Sequence, residues 1–199
     1  MDAVVAATLP QSGTIALVGM GDRVRSGMRV LINGAGGGSG PLALQMAKTA
    51  GAEVWAVDNA EKLALLRRLG ADRVLDYRAE DFAQLVERFD LVLDLFGTRS
   101  ARRVRRVLAP GGRYMFVGGP VPVLLNLLTI GPLLALGSDR KAGVLAVQQG
   151  PGRLAELMAM VNDGRLTPVV GEVAPLADAA RALGRMGRGE IAGKLVVVP

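Results

Sequence analysis

Short, continuously apolar segments alternate with amphipathic ones between Met28 and Val117, and this alternation constrains the fold more than any other feature of the sequence. The predicted strands are Val30–Ile32, Val54–Val57, Val74–Leu75, Leu91–Leu93 and Tyr114–Val117. They are apolar throughout rather than at every second residue, which is typical of a parallel sheet covered on both faces. The segments between them predict helices at about Gly40–Ala50, Glu61–Leu69, Ala79–Arg88 and Ser100–Leu108. Four strand–helix repeats predict an α/β fold with a doubly wound parallel sheet.

The two ends of the chain do not continue this alternation. Residues 1–19 predict a linker helix that is interrupted near Pro10 to Gly13. Residues 153–199 predict two further helices and two strands: Arg153–Asp163, Pro168–Val173, Leu176–Met186 and Leu195–Val198. The last strand is too apolar to end in solvent, so we assign residues 20–152 to one domain and residues 153–199 to part of a second.

A glycine-rich loop joins the first strand to the first helix. It runs from Asn33 to Gly40, and the register that ends on Gly40 reads Ala35-x-Gly37-x-x-Gly40. Glycines allow a backbone to approach a pyrophosphate closely, and a helix N-terminus offers free N–H groups to it. A flexible connector is the alternative. Because no Lys stands in the P-loop position, a nucleoside triphosphatase is disfavoured.

Asp58 follows the second strand, 24 residues after Gly34. A carboxylate at this point accepts hydrogen bonds from the hydroxyls of an adenosine ribose and repels a 2′-phosphate, which slightly favours NAD over NADP. Lys62 lies one turn later and weakens that preference, because it could reach a phosphate. A helix N-cap is the alternative role for Asp58.

The ends of the fourth and fifth strands are expected to line the same crevice, where the strand order reverses. They carry Asp94-Leu95-Phe96-Gly97 and Gly118-Gly119. Two small residues at the second position would allow a flat ring to lie against the backbone, although Gly-Gly-Pro is also an ordinary turn.

The composition removes several classes of chemistry. The chain has 199 residues and contains neither Cys nor His, which excludes disulfides, Cys nucleophiles, His bases and the usual zinc sites. We expect no metal on this chain and cannot name a catalytic acid or base. Without a recognisable targeting segment, a cytoplasmic location is the default.

Two further segments invite other interpretations. Tyr114–Ser138 carries no charge over 25 residues, but its Gly and Pro residues divide it into pieces too short to span a bilayer, so we expect no membrane contact. The arginines between Arg99 and Arg106 could contact nucleic acid, but a solvated helix over the sheet is the simpler explanation, and we expect no nucleic-acid partner.

Several ordered motifs together resemble one family. They are the loop Val30–Gly40, Leu69-Gly70-Ala71-Asp72 with the strand after it, Leu108-Ala109-Pro110-Gly111-Gly112, Gly164–Val169, Pro175-Leu176 and Gly193-Lys194-Leu195-Val196. They resemble the medium-chain dehydrogenases/reductases near the quinone oxidoreductases, over essentially the whole chain. Ser39 departs from that pattern, since the family usually has Val there.

The resemblance implies a Rossmann domain, a nicotinamide dinucleotide, a small-molecule substrate and a homodimer that pairs through the last strand of the cofactor sheet, near Pro132–Gly137. It also implies the roles of most residues of the expected cofactor site. Gly37, Gly38, Ser39 and Gly40 would bind the pyrophosphate, Asp58, Lys62 and Tyr77 would flank the adenosine ribose, Gly118 and Gly119 would approach the nicotinamide, and Lys194 would be a weaker contact. Gly34, Ala35, Leu95 and Phe96 complete the expected cofactor site.

Family members carry a GroES-like domain before the helix with which this sequence starts, and that domain supplies most of the substrate pocket. Residues 153–199 resemble its returning part. The implied activity is hydride transfer to or from a small carbonyl, alcohol or quinone. Two alternatives stay open: a non-catalytic dinucleotide-binding fragment that needs a partner, and an S-adenosylmethionine-dependent methyltransferase.

Overall fold

The computed structural model describes residues 1–199 apart from the side chain of Ala135. Its centre is a six-stranded parallel sheet in the order β3-β2-β1-β4-β5-β6. The strands are β1 (Arg29–Asn33), β2 (Glu53–Asp58), β3 (Arg73–Asp76), β4 (Phe89–Asp94), β5 (Leu108–Phe116) and β6 (Lys141–Val144). This is the strand order of a doubly wound, Rossmann-type sheet, so the predicted fold class is confirmed.

Eight α-helices surround or extend this sheet in the described part of the chain. They are α1 (Ala3–Ala7), α2 (Pro10–Met20), α3 (Gly40–Thr49), α4 (Leu63–Arg68), α5 (Ala101–Arg105), α6 (Val121–Ala135), α7 (Pro151–Asn162) and α8 (Ala179–Gly187).

The sheet separates two apolar cores, which explains why its strands are apolar on both faces. Val30 and Ile32 of β1 are fully buried in one core, together with side chains of α2, α3 and α7. Leu31 lies in the other core, together with Phe82 and side chains of α5 and α6. Successive residues of β1 enter opposite cores, so a polar residue on either face of the strand would be buried without water.

A second, two-stranded parallel sheet pairs β7 (Val170–Pro175) with β8 (Lys194–Val198). It is tied to the glycine-rich loop, because Gly193 N donates to Gly36 O at 2.9 Å. Gln45 of α3 also exchanges two hydrogen bonds of 2.9 Å with the backbone of Thr167. The carboxy-terminal segment therefore closes over the main sheet, while the domain boundaries at 19/20 and 152/153 stay predictions.

Three sequence-based expectations about local structure are wrong. Residues 79–88 form no α-helix. They hold only a short 3₁₀ turn at Phe82–Gln84, because Asp81 bonds to Ala83 N and to Arg99, and Phe82 is buried under Arg99. The predicted helix Ser100–Leu108 ends at Arg105, since Leu108 already starts β5. The amino-terminal helix breaks at Thr8 and Leu9, before Pro10 and not after it, because Pro10 takes the first position of α2.

The expected edge strand near Pro132–Gly137 is also wrong, because α6 continues through Pro132 and the strand lies at Lys141–Val144. Proline removes one helical hydrogen bond, and here it stands on the exposed side of the helix, where water can satisfy the freed carbonyl. None of the helices in the described part of the chain is both long enough and apolar enough to cross a membrane.

Candidate functional site

A cleft of about 730 Å³ opens at the carboxyl ends of β1 and β4, where the strand order reverses. This switch point is where doubly wound sheets bind ligands. Ten of the fourteen predicted cofactor residues line it: Gly34, Gly37, Gly38, Ser39, Asp58, Lys62, Tyr77, Leu95, Phe96 and Lys194. The fold thus brings together residues that are 160 positions apart in the chain.

The glycine-rich loop turns sharply at its start. Gly34 has φ +79°, a conformation that residues with a Cβ rarely adopt. The amides of Gly34 and Ala35 both donate to Val57 O, and Gly37 N donates to Gly34 O at 3.1 Å. These bonds tie the loop to the end of β2 and direct the next residues into the cleft.

The backbone amides of Gly38, Ser39 and Gly40, unlike those of Gly34, Ala35 and Gly37, have no backbone or side-chain hydrogen-bond acceptor among the described residues. They precede α3, whose N-terminal dipole end also favours negative charge. A Cβ on Gly38 would lie 2.7 Å from Lys194 Cδ and 2.9 Å from Ser12 Oγ. A side chain at position 38 would therefore have to displace Lys194 or Ser12.

Gly40 and Ala35 are required for the shape of the loop rather than for the surface of the cleft. Ala35 is fully buried, and a Cβ on Gly40 would overlap the Ala35 backbone. Neither residue lines the cleft. Their contact with a ligand stays a prediction, and for Gly40 it could be made only through the backbone N–H.

Asp58 holds the loop in place. Its carboxylate accepts from Gly36 N at 2.7 Å and from Asn59 N at 2.9 Å. Lys62 Nζ lies 3.3 Å from the same carboxylate, and both side chains are more than nine-tenths buried. No helix amide two or three residues further on bonds to Asp58, so the N-cap alternative is wrong for the described structure. The pair lies at the end of the cleft that includes Tyr77.

A polar cluster beneath the cleft was not anticipated. Asp94, at the end of β4, is fully buried. Asn33 Nδ2 donates to it at 2.7 Å, and the Tyr114 hydroxyl donates at 2.8 Å. Burial raises the pKa of the Asp94 carboxyl above its ordinary value, and these two hydrogen bonds oppose that shift. The one signal in the sequence was that Asn33 and Asp94 both end neighbouring apolar strands.

Burial and the Asp94 charge also raise the pKa of the Tyr114 hydroxyl, which keeps it protonated as a donor. The cluster cross-links β1, β4 and β5 directly under the cleft. It therefore fixes the spacing of the strands on either side of the switch point.

The other missed lining residues come from distant segments. Ser12 and Ile15 belong to α2, and Met186 to Gly189 lie at the end of α8 and just after it. Asn59 Nδ2 donates to Gly189 O at 2.9 Å, which brings that turn to the Asp58 end of the cleft. No local pattern in the sequence marks these residues, because only the return of the carboxy-terminal segment places them.

Gly118 and Gly119 do not line the cleft, although they lie in the loop next to it. Gly97 N donates to Gly118 O at 2.7 Å, and Gly119 has φ +153° with no room for a Cβ beside Gly97 O. The loops that follow β4 and β5 are thus joined at their glycines. This contact positions Leu95 and Phe96, which do line the cleft.

The residues of this chain do not fit a zinc ion. The usual zinc ligands of dehydrogenases are Cys and His, and the sequence contains neither. In the part of the chain that the structure describes, no three acidic side chains cluster closely enough to hold a metal.

Comparison with known proteins places the chain among oxidoreductases. A family model described as zinc-binding dehydrogenase matches residues 69–197. The mitochondrial NAD(P)H oxidoreductase RTN4IP1 of Mus musculus is 30% identical over 198 residues, which cover 90% of this chain and 50% of that protein.

Two solved structures have the same fold. The quinone oxidoreductase of Coxiella burnetii matches with a TM-score of 0.84 and 28% identity, over 96% of this chain and 59% of that one. An NAD-dependent alcohol dehydrogenase matches with a TM-score of 0.84 and 28% identity, over 100% of this chain and 60% of that one. The chain spans about half the length of the RTN4IP1 proteins that it matches.

Proposed function

We propose, from the premise that the chain belongs to the medium-chain dehydrogenase/reductase superfamily, that it binds NAD(P)H in the switch-point cleft and serves hydride transfer to or from a small carbonyl, alcohol or quinone. The similar proteins are named as a quinone oxidoreductase, an NAD(P)H oxidoreductase and an alcohol dehydrogenase. A methyltransferase has no support among these similarities.

The observation that carries the proposal is the set of three free amides at Gly38, Ser39 and Gly40. Aligned N–H groups at a helix N-terminus bind a pyrophosphate without further charge. Lys194 lies over Gly38 and adds a cation at the same place. Gly40 does not line the cleft, so it would contribute only through its backbone N–H.

The two ends of the cleft suit the two ends of a dinucleotide. Asp58, Lys62 and Tyr77 offer a carboxylate, an ammonium and a phenol to a ribose and its substituents. Leu95, Phe96 and Val117 form an apolar wall at the other end, next to the Gly118–Gly119 loop. When bound there, the nicotinamide would supply the hydride chemistry, and the protein would orient the ring and exclude water.

We further propose a small preference for NAD over NADP. The Asp58 carboxylate stands at the ribose end and would repel a 2′-phosphate. Lys62 Nζ, 3.3 Å away, offsets part of that charge. The expected preference is therefore modest, of the order of tenfold or about 1.4 kcal/mol.

Titration of the purified chain with NADH and NADPH, by calorimetry and nucleotide fluorescence, tests both claims. We expect saturable binding of NADH and weaker binding of NADPH. Lys194→Gln should weaken both nucleotides, while Arg165→Gln, whose exposed partner is Asp163 outside the cleft, should weaken neither. Absence of any response to either nucleotide would refute the proposal.

Turnover is a separate question, because the relatives are about twice as long as this chain. The sequence offers no His or Cys to the cleft as a proton carrier or nucleophile. We propose that the chain alone binds the nucleotide and needs further residues, on the same or a partner chain, to catalyse. Steady reduction of a quinone or aldehyde by the isolated chain would contradict this.

We also propose a homodimer, formed through the open edge of β6 rather than near Pro132–Gly137. In the described sheet, β6 pairs only with β5, so its other edge presents free N–H and C=O groups. Light scattering should show a dimer. A monomer at all concentrations would rule this assembly out.

A further inference from the structure

The amino-terminal helices bury three hydroxyl side chains, and one of these hydroxyls has no hydrogen-bond partner. Thr8, Ser12 and Thr14 are 1%, 4% and 3% exposed. Thr8 Oγ1 donates to Val5 O at 2.7 Å, and Thr14 Oγ1 donates to Pro10 O at 2.5 Å. Bonds of this kind, to a carbonyl about one turn earlier, are the usual way in which a helix satisfies a hydroxyl. Among the described residues, Ser12 Oγ forms neither this bond nor any other.

The hydroxyl of Ser12 lies over the glycine-rich loop. Ser12 lines the switch-point cleft, and a Cβ built on Gly38 would stand 2.9 Å from Ser12 Oγ. The amide of Gly38 is itself one of the three that have no acceptor in the described structure. A buried hydroxyl that is open only to the cleft can therefore donate to a ligand held by those amides.

Lys194 reaches the same point from the opposite end of the chain. Its Cδ would lie 2.7 Å from the same Cβ on Gly38. Its backbone is fixed, because Lys194 N donates to Val169 O at 2.9 Å. Lys62, the other lysine of the cleft, is paired with Asp58 at 3.3 Å, whereas Lys194 forms no ion pair with any described carboxylate. An unpaired cation and an unpaired hydroxyl thus approach one residue of the loop.

The chemistry of these groups selects the part of a ligand that fits between them. The amides and the ammonium are donors only, and a hydroxyl can also donate. A neutral group would leave the ammonium without a counter-charge, and a carboxylate has too few oxygens for donors on both sides of the loop. A diphosphate carries negative charge and non-bridging oxygens on both phosphorus atoms, so it can accept charge-assisted hydrogen bonds from several directions.

We propose that the hydroxyl of Ser12 donates to a diphosphate oxygen of the bound nucleotide, an inference that rests on the proposed binding of a nucleotide in this cleft. Ser12 and Lys194 would then hold the diphosphate from one side, while the amides of residues 38–40 hold it from the other. Because Ser12 belongs to α2 and Lys194 to β8, the diphosphate would join the two ends of the chain to the loop.

A role in packing is the other explanation for Ser12. Ala would fill nearly the same space in α2 and would leave no hydroxyl buried without a partner, so packing alone does not call for Ser at this position. A packing role also predicts that a substitution changes the affinity for every part of the nucleotide alike. A contact with the diphosphate predicts a change only for ligands that carry it.

Titration with ADP, AMP and adenosine distinguishes these two roles, because the three ligands share the adenosine and differ in phosphate. The whole chain is used, and each ligand is measured by calorimetry and by displacement of NADH. We expect the wild-type chain to bind ADP more tightly than AMP. Ser12→Ala should weaken ADP about tenfold, as expected for the loss of one hydrogen bond to a charged group. It should leave the affinity for adenosine unchanged.

Two further variants complete the experiment. Lys194→Gln should lower the ratio of ADP to AMP affinity in the same direction as Ser12→Ala, since both side chains would contact the diphosphate. Thr14→Val is the matched control, because it removes a buried hydroxyl from the same helix, but one that is already bonded to Pro10 O. It should leave the ratio unchanged. Circular dichroism should show that each variant is folded.

The possible failures are distinguishable. If the wild-type chain binds NADH and ADP but Ser12→Ala leaves the ratio of ADP to AMP affinity unchanged, Ser12 does not contact the diphosphate, and the proposed function stands. Equal losses for ADP, AMP and adenosine would also overturn the contact, because Ser12 would then act through the packing of α2. A wild-type chain that binds neither NADH nor ADP would overturn the proposed function and the role of Ser12 together.

Discussion

Buried charged groups are paired at the carboxyl end of the sheet, whereas several charged groups are unpaired on the face formed by α5 and α6. In the cleft, the buried charges have partners: Asp58 is held by Gly36, Asn59 and Lys62, and Asp94 is held by Asn33 and Tyr114. The free groups there include the backbone amides of Gly38, Ser39 and Gly40 and the buried Asn59 Oδ1. On the α5–α6 face, Arg102 and Arg105 of α5 and Arg106, the residue after it, form no ion pair with a described carboxylate, and Leu125, Leu128 and Leu133 of α6 are more than half exposed. The first region pairs its buried charges within the chain, and the second presents unpaired cations and apolar side chains at the surface.

The largest effect should come from Gly40→Ala, because a Cβ there overlaps the Ala35 backbone. Since the backbone must move, we expect a loss of about 3 kcal/mol in the free energy of unfolding. We also expect loss of detectable NADH binding, measured by titration. Gly131→Ala is the matched control on α6, where the added Cβ would stand 3.6 Å from Leu127 Cδ1. It should cost nothing or stabilise by up to about 1 kcal/mol. Equal changes in the free energy of unfolding for Gly40→Ala and Gly131→Ala would contradict the prediction that only the loop requires glycine.

Tyr114→Phe should have the next largest effect on the free energy of unfolding, and that effect should depend on pH. The variant leaves Asp94 one donor short, which we expect to cost about 2 kcal/mol at neutral pH. The cost should shrink as the pH falls through the raised pKa of Asp94, because a protonated carboxyl needs the donor less. Urea unfolding of both proteins across the acid range measures this. A cost that stays constant with pH would mean that Asp94 does not titrate in this range.

The wild-type chain should show the matching trend. Because burial raises the pKa of Asp94 above its unfolded value, the folded state holds that proton more tightly. The contribution of Asp94 to stability is then greatest below the ordinary pKa of about 3.9 and declines as the pH rises through the raised value. The difference in unfolding free energy between Asp94→Asn and wild type, followed against pH, isolates this contribution.

Asp58→Asn should change the affinity for NADH less than it changes the preference between NADH and NADPH. The substitution removes the negative charge at the ribose end while leaving Lys62 in place, so NADPH should gain relative to NADH by about tenfold. The ratio of the two dissociation constants measures this change. A ratio that moves toward NADH instead would show that Asp58 acts only through the loop and not on the ribose.

The smallest effect on stability should come from the unpaired arginines. Arg102→Gln with Arg106→Gln should change the free energy of unfolding by about 0.5 kcal/mol or less, since exposed residues without partners contribute little. Arg99→Gln should cost about 1 kcal/mol, because Arg99 is bonded to Asp81 at 3.0 Å and lies 4.7 Å above the Phe82 ring. Similar losses for both variants would mean that the cations on α5 are structurally engaged.

The sequence alone determined the parts of the fold that rest on local pattern. Strands buried on both faces must be apolar throughout, so the five sheet strands that were predicted could be located without the structure. The loop at Gly34–Gly40 could be assigned because a sharp turn and a close approach both require glycine. Asp58 and Lys62 followed from their distance to that loop.

Tertiary structure decided what local pattern could not express. Residues 79–88 have helical spacing, but the contacts of Asp81 with Arg99 and the burial of Phe82 hold them in a turn. The Asp94 cluster and the Met186–Gly189 wall of the cleft depend on contacts between residues far apart in sequence. Whether an apolar or a charged segment is covered also depends on those contacts. The exposed aliphatic residues of α6 and the unpaired arginines of α5 could therefore be recognised only once the chain was folded.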